Sequence, residues 1–418
     1  MNIVIFTDTF LPKIDGVAIS VENFCKILSE SGHHFLIFCP KYQADDPDSL
    51  GDNVKIVRFK NASLPSYPDI KIVVPSYKKI KKSISSFQPD LIHIQTPGML
   101  GQYGVWAAKK FKIPLIGTYH TLVSEQHTYI SFYRLLKIDT LIRYIRSKKK
   151  VKKRLHKIEQ KNDTSFKKKF ILKLCNRLYE TGERIISPSH LIKEELIGYG
   201  LKKPIDVISN GIDLSIFLSE YKEKPSGSPR LLHVGRISYE KNCDVVLNAF
   251  ALILKKIPDA VLDILGDGPA LSSLKEQAKD LHIDKNVNFP GFIPHNSLPE
   301  IYKKYDLFLT ASTMETQGLV VLEAMAGGLP CIGVKSYALP ELIHDRKNGF
   351  ICAPFNHIQM AEKTMELLND SSMYSAFSKK SIEIAGEHDI HKCAEELEKT
   401  YNLTVKNYKN KKEKPLPV

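Results

Sequence analysis

The stretch Thr310–Val334, TASTMETQGLVVLEAMAGGLPCIGV, restricts the folds open to this chain more than any other part of it. It follows YDLFL, an apolar run ending at Leu309 that reads as a buried strand. Gly327 and Gly328 stop a helix, and Pro330 leads into a second apolar run. The order is strand, loop, helix, glycine stop, strand. Glu315 then falls in the strand-to-helix loop, at the carboxyl edge where open parallel α/β sheets bind ligands. Gly318 lets backbone come close to a ligand. The N–H groups just after it form a helix N-terminus suited to phosphate. Glu323 lies in the first turns of that helix, near the same mouth. One carboxylate can meet a sugar and the other a ribose, with a diphosphate between them. Without that context, two glutamates at this spacing are equally a surface loop residue and a solvated helix position.

At 418 residues the chain has room for two or more domains, each with its own core. Its 43% hydrophobic content and mean hydropathy of -0.19 are those of a globular, water-soluble protein. No run of about 20 apolar residues occurs, so no transmembrane helix is expected. The opening MNIVIFTDTFLP carries Asp8 and no basic region, and reads as a first strand rather than a signal peptide. Seven cysteines (Cys25, Cys39, Cys175, Cys243, Cys331, Cys352 and Cys393) are scattered and form no CxxC. That pattern predicts buried, reduced thiols in a cytoplasmic protein and no metal site.

The net charge of +14 is uneven. Arg143–Lys173 holds fourteen Lys and Arg against Glu159 and Asp163, a local charge of +12. Within and beside it, Leu141, Tyr144, Ile145, Val151, Leu155 and Ile158, then Phe166, Phe170, Leu174 and Leu178, recur at near-helical spacing. A basic amphipathic helix pair of this kind attracts anionic lipid headgroups, with Lys148, Lys149, Lys150, Lys152, Lys153 and Arg154 as the contacting cations. The same run is also readable as a solvated face packed on the first domain. Unspecific binding to nucleic-acid phosphates is a third reading, but no recognition motif accompanies it, and nucleic acid is not an expected partner.

Along the first half, NIVIFTD is a strand and a helix runs through Leu28 to a stop at Gly32. HFLIFCP and VKIVRFK are further strands, followed by a Pro-rich loop from Leu64 to Pro75. The first strand-to-helix loop carries Asp15-Gly16 but no GxGxxG, which argues against a dinucleotide fingerprint. YKKIKKSISSF is a basic helix, PDLIHIQTP a strand, and Met99–Phe111 a helix. IPLIGTYHT is a strand ending in His120. ERIISPSHLIKEEL reads strand, Ser-Pro-Ser, helix, with Ser189 as N-cap, and PIDVISNGIDLSIF closes the first domain. The second half opens with KEKPSGSP (Lys222–Pro229), composed like a linker. RLLHVGRI starts a new sheet. Arg236 and Lys241 then flank a loop that opens into a helix, placing two cations beside a helix N-terminus. AVLDILGDGP is a strand followed by Gly266-x-Gly268-Pro269, a weak half-fingerprint. The C-terminal part reads as helical, with a disordered basic tail KNKKEKPLPV.

The two glutamates, G-R-x-x-x-x-K at Gly235, Arg236 and Lys241, the TYHT strand end, G-x-G-P and V-I-x-N-G-I-D together resemble glycosyltransferase family 4. The TETQGLVVLEAMAGGLP wording is closest to its diacylglycerol-glucosylating branch. The resemblance covers most of the chain. It implies an α/β GT-B fold, two Rossmann-like domains facing each other across a cleft. Residues 1–217 would form the N-terminal, acceptor-side domain and 218–392 the nucleotide-sugar domain. Residues 393–418 would be a helix crossing back, plus the tail.

It further implies roles. Gly16 would approach the donor diphosphate. His120 would contact the hydroxyls of the donor sugar, Glu315 would orient that sugar, and Glu323 would hold the ribose. Gly235, Gly268, Thr316, Gln317, Gly318 and Leu319 would line the donor. Arg236 and Lys241 would stabilise the charge gathering on the leaving diphosphate, in place of a metal. The expected reaction is retaining transfer of a hexose, glucose from UDP-glucose foremost, to a membrane lipid such as diacylglycerol. UDP-sugar is a co-substrate and no cofactor is implied. The expected location is the inner face of the membrane, peripherally bound. A family member using a soluble acceptor, such as a sugar phosphate or cell-wall precursor, and a non-catalytic binding protein on the same scaffold are the other classes. The intact Glu315, Glu323, Arg236 and Lys241 set speaks against the latter.

Overall fold

The computed structural model describes residues 1–64, 67–120, 173 and 175–413. The basic segment 143–173 lies outside the described residues except for Lys173, and with it Lys148, Lys149, Lys150, Lys152, Lys153 and Arg154. The chain divides into two compact units. One comprises Met1–Ser187, Lys193–Val207 and Leu397–Val418, the other Pro188–Ile192 and Ile208–Glu396.

The first unit is built on a parallel sheet. Its strands are β1 (Asn2–Phe6), β2 (His34–Pro40), β3 (Val54–Phe59), β6 (Leu91–Ile94), β7 (Leu115–Thr118), β8 (Arg184–Ser187) and β9 (Ile205–Val207), in the order β3-β2-β1-β6-β7-β8-β9. β1 sits centrally, pairing Ile3 with Phe35 on one side and Leu91 on the other. Its Ile3, Val4, Ile5 and Phe6 are buried on both faces, as parallel strands sandwiched by helices must be. β4 (Asn61–Leu64) and β5 (Tyr67–Val73) form a separate antiparallel hairpin. The sequence between Leu64 and Pro75 was expected to be a loop. The prolines hid a strand: Pro68 is its second residue and Pro75 follows its end, beside a register irregularity between Ser63 and Leu64.

The second unit repeats the plan. β10 (Arg230–Val234), β11 (Val261–Leu265), β12 (Val287–Gly291), β13 (Leu307–Leu309), β14 (Cys331–Val334) and β15 (Gly349–Cys352) form a parallel sheet ordered β12-β11-β10-β13-β14-β15. Its core joins Leu231, Val246, Phe250, Ile264, Phe308, Leu322, Ile332 and Phe350. Fully burying side chains of this size stabilises the fold by about 1.5–3 kcal/mol each. Both units are therefore Rossmann-like α/β layers.

Ile212 and Phe217 are buried in the second unit's core, whose longest span is Ile208–Glu396. Two local expectations change. Lys222–Pro229 is no free linker. The Lys222 ammonium donates to the carbonyls of Tyr302 (3.0 Å), Lys303 (2.8 Å) and Tyr305 (2.6 Å), and its N–H donates to Ser378 Oγ (2.7 Å). These carbonyls end a helix, where a cation is favoured. The final helix, Ile390–Glu413, continues into the tail that was expected to be disordered. All seven cysteines are buried and free. Among the described residues, no helix is long and apolar enough to cross a membrane.

Candidate donor site on the second sheet

The strand order of the second sheet reverses between β10 and β13, which pair directly, Leu231 with Leu307 and Leu232 with Phe308. The loops leaving their carboxyl ends therefore start side by side, one at Gly235 and the other at Thr310. Such a reversal is where open α/β sheets leave a crevice for a ligand.

The two loops are laced together. Lys241 ends a short 3-10 turn, Tyr239–Lys241, and its Nζ forms an ion pair and hydrogen bond with Glu315 Oε1. The side chains are 20% and 14% exposed, so the pair is largely shielded from solvent. Asn242 follows at φ 50°, a left-handed conformation that Asn tolerates better than most residues. Its Nδ2 donates to the Ala311 carbonyl, to Thr313 Oγ1 and to the Glu240 carbonyl, each at 3.1 Å. The Thr313 N–H closes the stitch on the Glu240 carbonyl at 3.2 Å. Asn242 was missed in the sequence, although an Asn just before a helix is a usable sign of a special backbone position. Arg236 stands exposed in the same loop, directly after Gly235.

Burial pushes the Glu315 carboxyl upward, but the charge and hydrogen bond of Lys241 outweigh it and hold it below its ordinary value. Glu315 is thus a carboxylate. His233, the penultimate residue of β10, lies beneath. It is 1% exposed, and its Nδ1 bonds the Leu309 carbonyl at 2.9 Å. Its Nε2 is 3.3 Å from Cys243 Sγ. Burial lowers its pKa to about 4, so the ring is neutral, donating from Nδ1 and accepting at Nε2. It ties the end of β10 to the end of β13.

The Gly266-Asp267-Gly268 loop after β11 packs backbone against backbone on the Gly235 loop. Ile237 N–H donates to the Asp267 carbonyl (2.9 Å), and Ala270 N–H to the Ile237 carbonyl (3.0 Å). A Cβ at Gly266 would meet the Gly235 oxygen at 1.8 Å, and one at Gly268 the Ile237 oxygen at 2.3 Å. These glycines permit the approach of one loop to another, so Gly268 acts first as a packing residue.

Beyond Glu315, Thr316 is half-buried and Gly318 adopts φ 95° ahead of the helix Leu319–Ala326. No side chain caps that helix start, leaving it available to an anion. The Gln317 side chain is held within its own unit: Oε1 accepts from the Asn210 N–H (2.8 Å), and Nε2 donates to Ser209 Oγ. Both ends of the amide are committed, and the residue is 2% exposed. Glu323 is 3% exposed. Its Oε2 accepts from the Tyr302 hydroxyl at 2.9 Å, and its Oε1 lies 3.0 Å from His295 Nε2. A carboxylate has four acceptor sites, so these bonds fix its direction without exhausting it. His295, half-buried with its ring tilted against Phe217, and Tyr302 were not singled out in the sequence.

Gly16 and His120 belong to the first unit. Gly16 opens the helix Gly16–Glu30, and the N-terminus there is already capped by Asp15, whose Oδ1 accepts from the Ala18 N–H at 3.0 Å. Asp15 also accepts from the Thr9 hydroxyl (2.5 Å) and pairs with Lys13 (3.3 Å). His120 lies two residues beyond β7, is 9% exposed, and its Nε2 bonds Gln95 Oε1 at 2.7 Å. Burial lowers its pKa to about 4, against a small opposing pull from Asp15.

Comparison with known proteins agrees with this architecture. Residues 14–216 match the profile of Glycosyltransferase Family 4, and residues 217–384 that of Glycosyl transferases group 1. The alpha-monoglucosyldiacylglycerol synthase of Streptococcus pneumoniae is 33% identical over 361 residues, covering 84% of this chain and 74% of the relative. The enzyme of the same name from Acholeplasma laidlawii is 26% identical, covering 84% of both. Among solved structures, HepE of Anabaena in complex with UDP-glucose superposes with a TM-score of 0.71 at 18% identity, over 96% of this chain and 99% of that one. The chain belongs to glycosyltransferase family 4 and is a nucleotide-sugar-dependent glycosyltransferase of the GT-B fold.

Proposed function

We propose that this enzyme transfers glucose from UDP-glucose to diacylglycerol with retention of configuration. The observation that carries the donor half is the Lys241–Glu315 pair beside exposed Arg236, at the strand-order reversal of the second sheet. As the bond from the anomeric carbon to the diphosphate oxygen breaks, negative charge gathers on the leaving diphosphate. Arg236, Lys241 and the N-terminus of the helix Leu319–Ala326 stabilise it there. Glu315, held ionised and aimed by Lys241, accepts from sugar hydroxyls. Glu323, aimed by Tyr302 and His295, accepts from the ribose diol. His120 meets the sugar hydroxyls as a neutral ring. The acceptor hydroxyl attacks from the face the diphosphate leaves, and its proton passes to the departing phosphate oxygen. The fixed cations take the charge role of a metal, so turnover is metal-independent.

The lipid half rests on the two relatives named as monoglucosyldiacylglycerol synthases and on the +12 segment 143–173, which suits an anionic membrane surface. The enzyme would then work peripherally, on the cytoplasmic face. A screen of UDP- and GDP-sugars against lipid extracts and soluble sugar phosphates, with and without EDTA, tests the proposal. Glucosyl lipid from UDP-glucose, undiminished by EDTA, is the expected result. Product only on a soluble acceptor would overturn the lipid assignment, and loss on chelation with rescue by magnesium would overturn metal independence.

A further inference from the structure

A buried polar chain runs behind His120 in the first unit. His120 Nε2 is 2.7 Å from Gln95 Oε1, and Gln95 Nε2 is 3.2 Å from His93 Nδ1. His93 Nδ1 also faces the Tyr401 hydroxyl at 2.7 Å, and His93 Nε2 faces Thr118 Oγ1 at 2.7 Å. His93, Gln95, Thr118, His120 and Tyr401 are between 1% and 9% exposed. The sources are separate: β6 supplies His93, the residue after it is Gln95, β7 ends in Thr118, and Tyr401 is on the C-terminal helix. Buried polar groups at such positions must be satisfied, and here that requirement fixes where each proton sits.

Both rings are neutral, because burial lowers His93 to about 3 and His120 to about 4. A neutral imidazole has one donor and one acceptor. His93 Nδ1 faces two donors, the Gln95 amide and the Tyr401 hydroxyl, so Nδ1 carries the lone pair and Nε2–H donates to Thr118. With its NH2 turned to His93, Gln95 offers only its oxygen to His120. His120 Nε2 must then carry the proton. The reverse amide orientation would leave one His93 Nδ1–H shared by two acceptors, and the Tyr401 proton with no acceptor among these groups.

We propose that Gln95 is a positioning residue for transfer: backed by His93 and Tyr401, it fixes His120 as the Nε2–H tautomer, with the ring's lone pair on Nδ1. The consequence for transfer rests on His120 meeting the donor sugar, whereas the tautomer does not. The C-terminal helix thereby supports the chemistry through one hydroxyl, and His120 serves as a proton acceptor in a hydrogen bond rather than as a titrating acid or base.

The test uses the full chain labelled with 15N-histidine, with long-range 15N–1H spectra assigned through the H93N and H120N variants. In the wild type, both His93 and His120 should show the Nε2–H pattern. Gln95→Leu should let His120 sample both tautomers and lower kcat about 10- to 100-fold, with little change in KM for UDP-glucose. Gln95→Glu keeps an oxygen for His120 but repels the His93 lone pair. It should preserve the His120 pattern, switch His93 to Nδ1–H, and retain more activity than Gln95→Leu. An Nδ1–H pattern for His120 in the wild type overturns the proposal without any variant having to fold. So does an unchanged His120 pattern in Gln95→Leu, or an equal loss of kcat in both variants. Tautomers as assigned, with transfer untouched in Gln95→Leu and in His120→Ala, would remove His120 from the reaction and the positioning role with it.

Discussion

Lys241 and Glu315, 74 residues apart in sequence, meet as an ion pair that joins the loops after β10 and β13. The pair links stability to function, since Lys241 holds Glu315 ionised and each partner fixes the direction of the other. Glu315→Gln and Lys241→Ala should each lower kcat by about 100-fold or more, the scale of losing a pre-organised charge. Thermal unfolding should show a folded protein in both cases. Near-wild-type turnover at saturating donor, in either variant, would show that the residue has no part in transfer.

The same pair predicts an acid dependence. The folded Glu315 carboxyl lies below its ordinary value of 4.5, so its contribution is present above that pH and is lost as pH falls through the lower, folded value. A plot of Tm against pH from 3 to 7 should be shallower at its acid end for Glu315→Gln than for the wild type. Parallel curves would mean that Lys241 does not hold the carboxylate.

The buried histidines act in a different window. His233 is lowered to about 4 from 6.5, so the unfolded chain takes up a proton first as pH falls below 6.5. Stability should therefore drop between about pH 6.5 and pH 4, by roughly 1 kcal/mol per pH unit for each such ring. His233→Asn should flatten that part of the curve. An unaltered slope would indicate a ring that is charged or exposed.

Gln317 and Gly266 should prove structural. Gln317→Ala removes the side-chain acceptor of the Asn210 N–H and one donor to Ser209 Oγ, which keeps His388 Nδ1 and the Gly211 N–H, and should cost about 1–3 kcal/mol of stability, with KM for the donor nearly unchanged. Gly266→Ala drives a Cβ onto the Gly235 oxygen and should cost at least about 2 kcal/mol. The same change at Gly227, which has nothing within 4 Å, should be neutral within about 0.5 kcal/mol. Equilibrium unfolding in urea measures all three. A donor KM that rises in Gln317→Ala without loss of stability would place Gln317 in the donor site.

What the sequence disclosed was local. The strand, loop and helix around Glu315 follow from an apolar run, Gly318 and the Gly327-Gly328 stop, all within one window. The partners that decide what a residue does come from elsewhere. Lys222 looks like a linker cation until the carbonyls of Tyr302, Lys303 and Tyr305, some 80 residues on, are folded under it. Gln317 sits inside the most informative motif, yet its amide is taken up by Ser209 and Asn210, 108 and 107 residues before it. Asn242 showed only its place before a helix. Its value lies in a left-handed backbone and three acceptors that no periodicity encodes. The hairpin of β4 and β5 was hidden by prolines, which a composition reading assigns to loops.

The basic segment 143–173 enters through its sequence alone. Replacing Lys148, Lys149, Lys150, Lys152 and Lys153 with Gln should sharply reduce co-sedimentation with anionic vesicles and leave UDP-sugar binding in solution intact. Binding of the wild type should weaken with salt, because the screening length is about 8 Å at physiological ionic strength. Vesicle binding as strong as that of the wild type would make the segment a solvated face.

The most direct measurement of the central claim is transfer itself. UDP-glucose labelled in the sugar is offered to the wild type and to Glu315→Gln on mixed vesicles of diacylglycerol and anionic phospholipid, and the lipid product is digested with α- and β-glucosidase. The account predicts a labelled glycolipid from the wild type that only α-glucosidase cleaves, and a loss of about 100-fold in Glu315→Gln. A β-linked product, or no labelled lipid while label is transferred to a soluble acceptor, would contradict it.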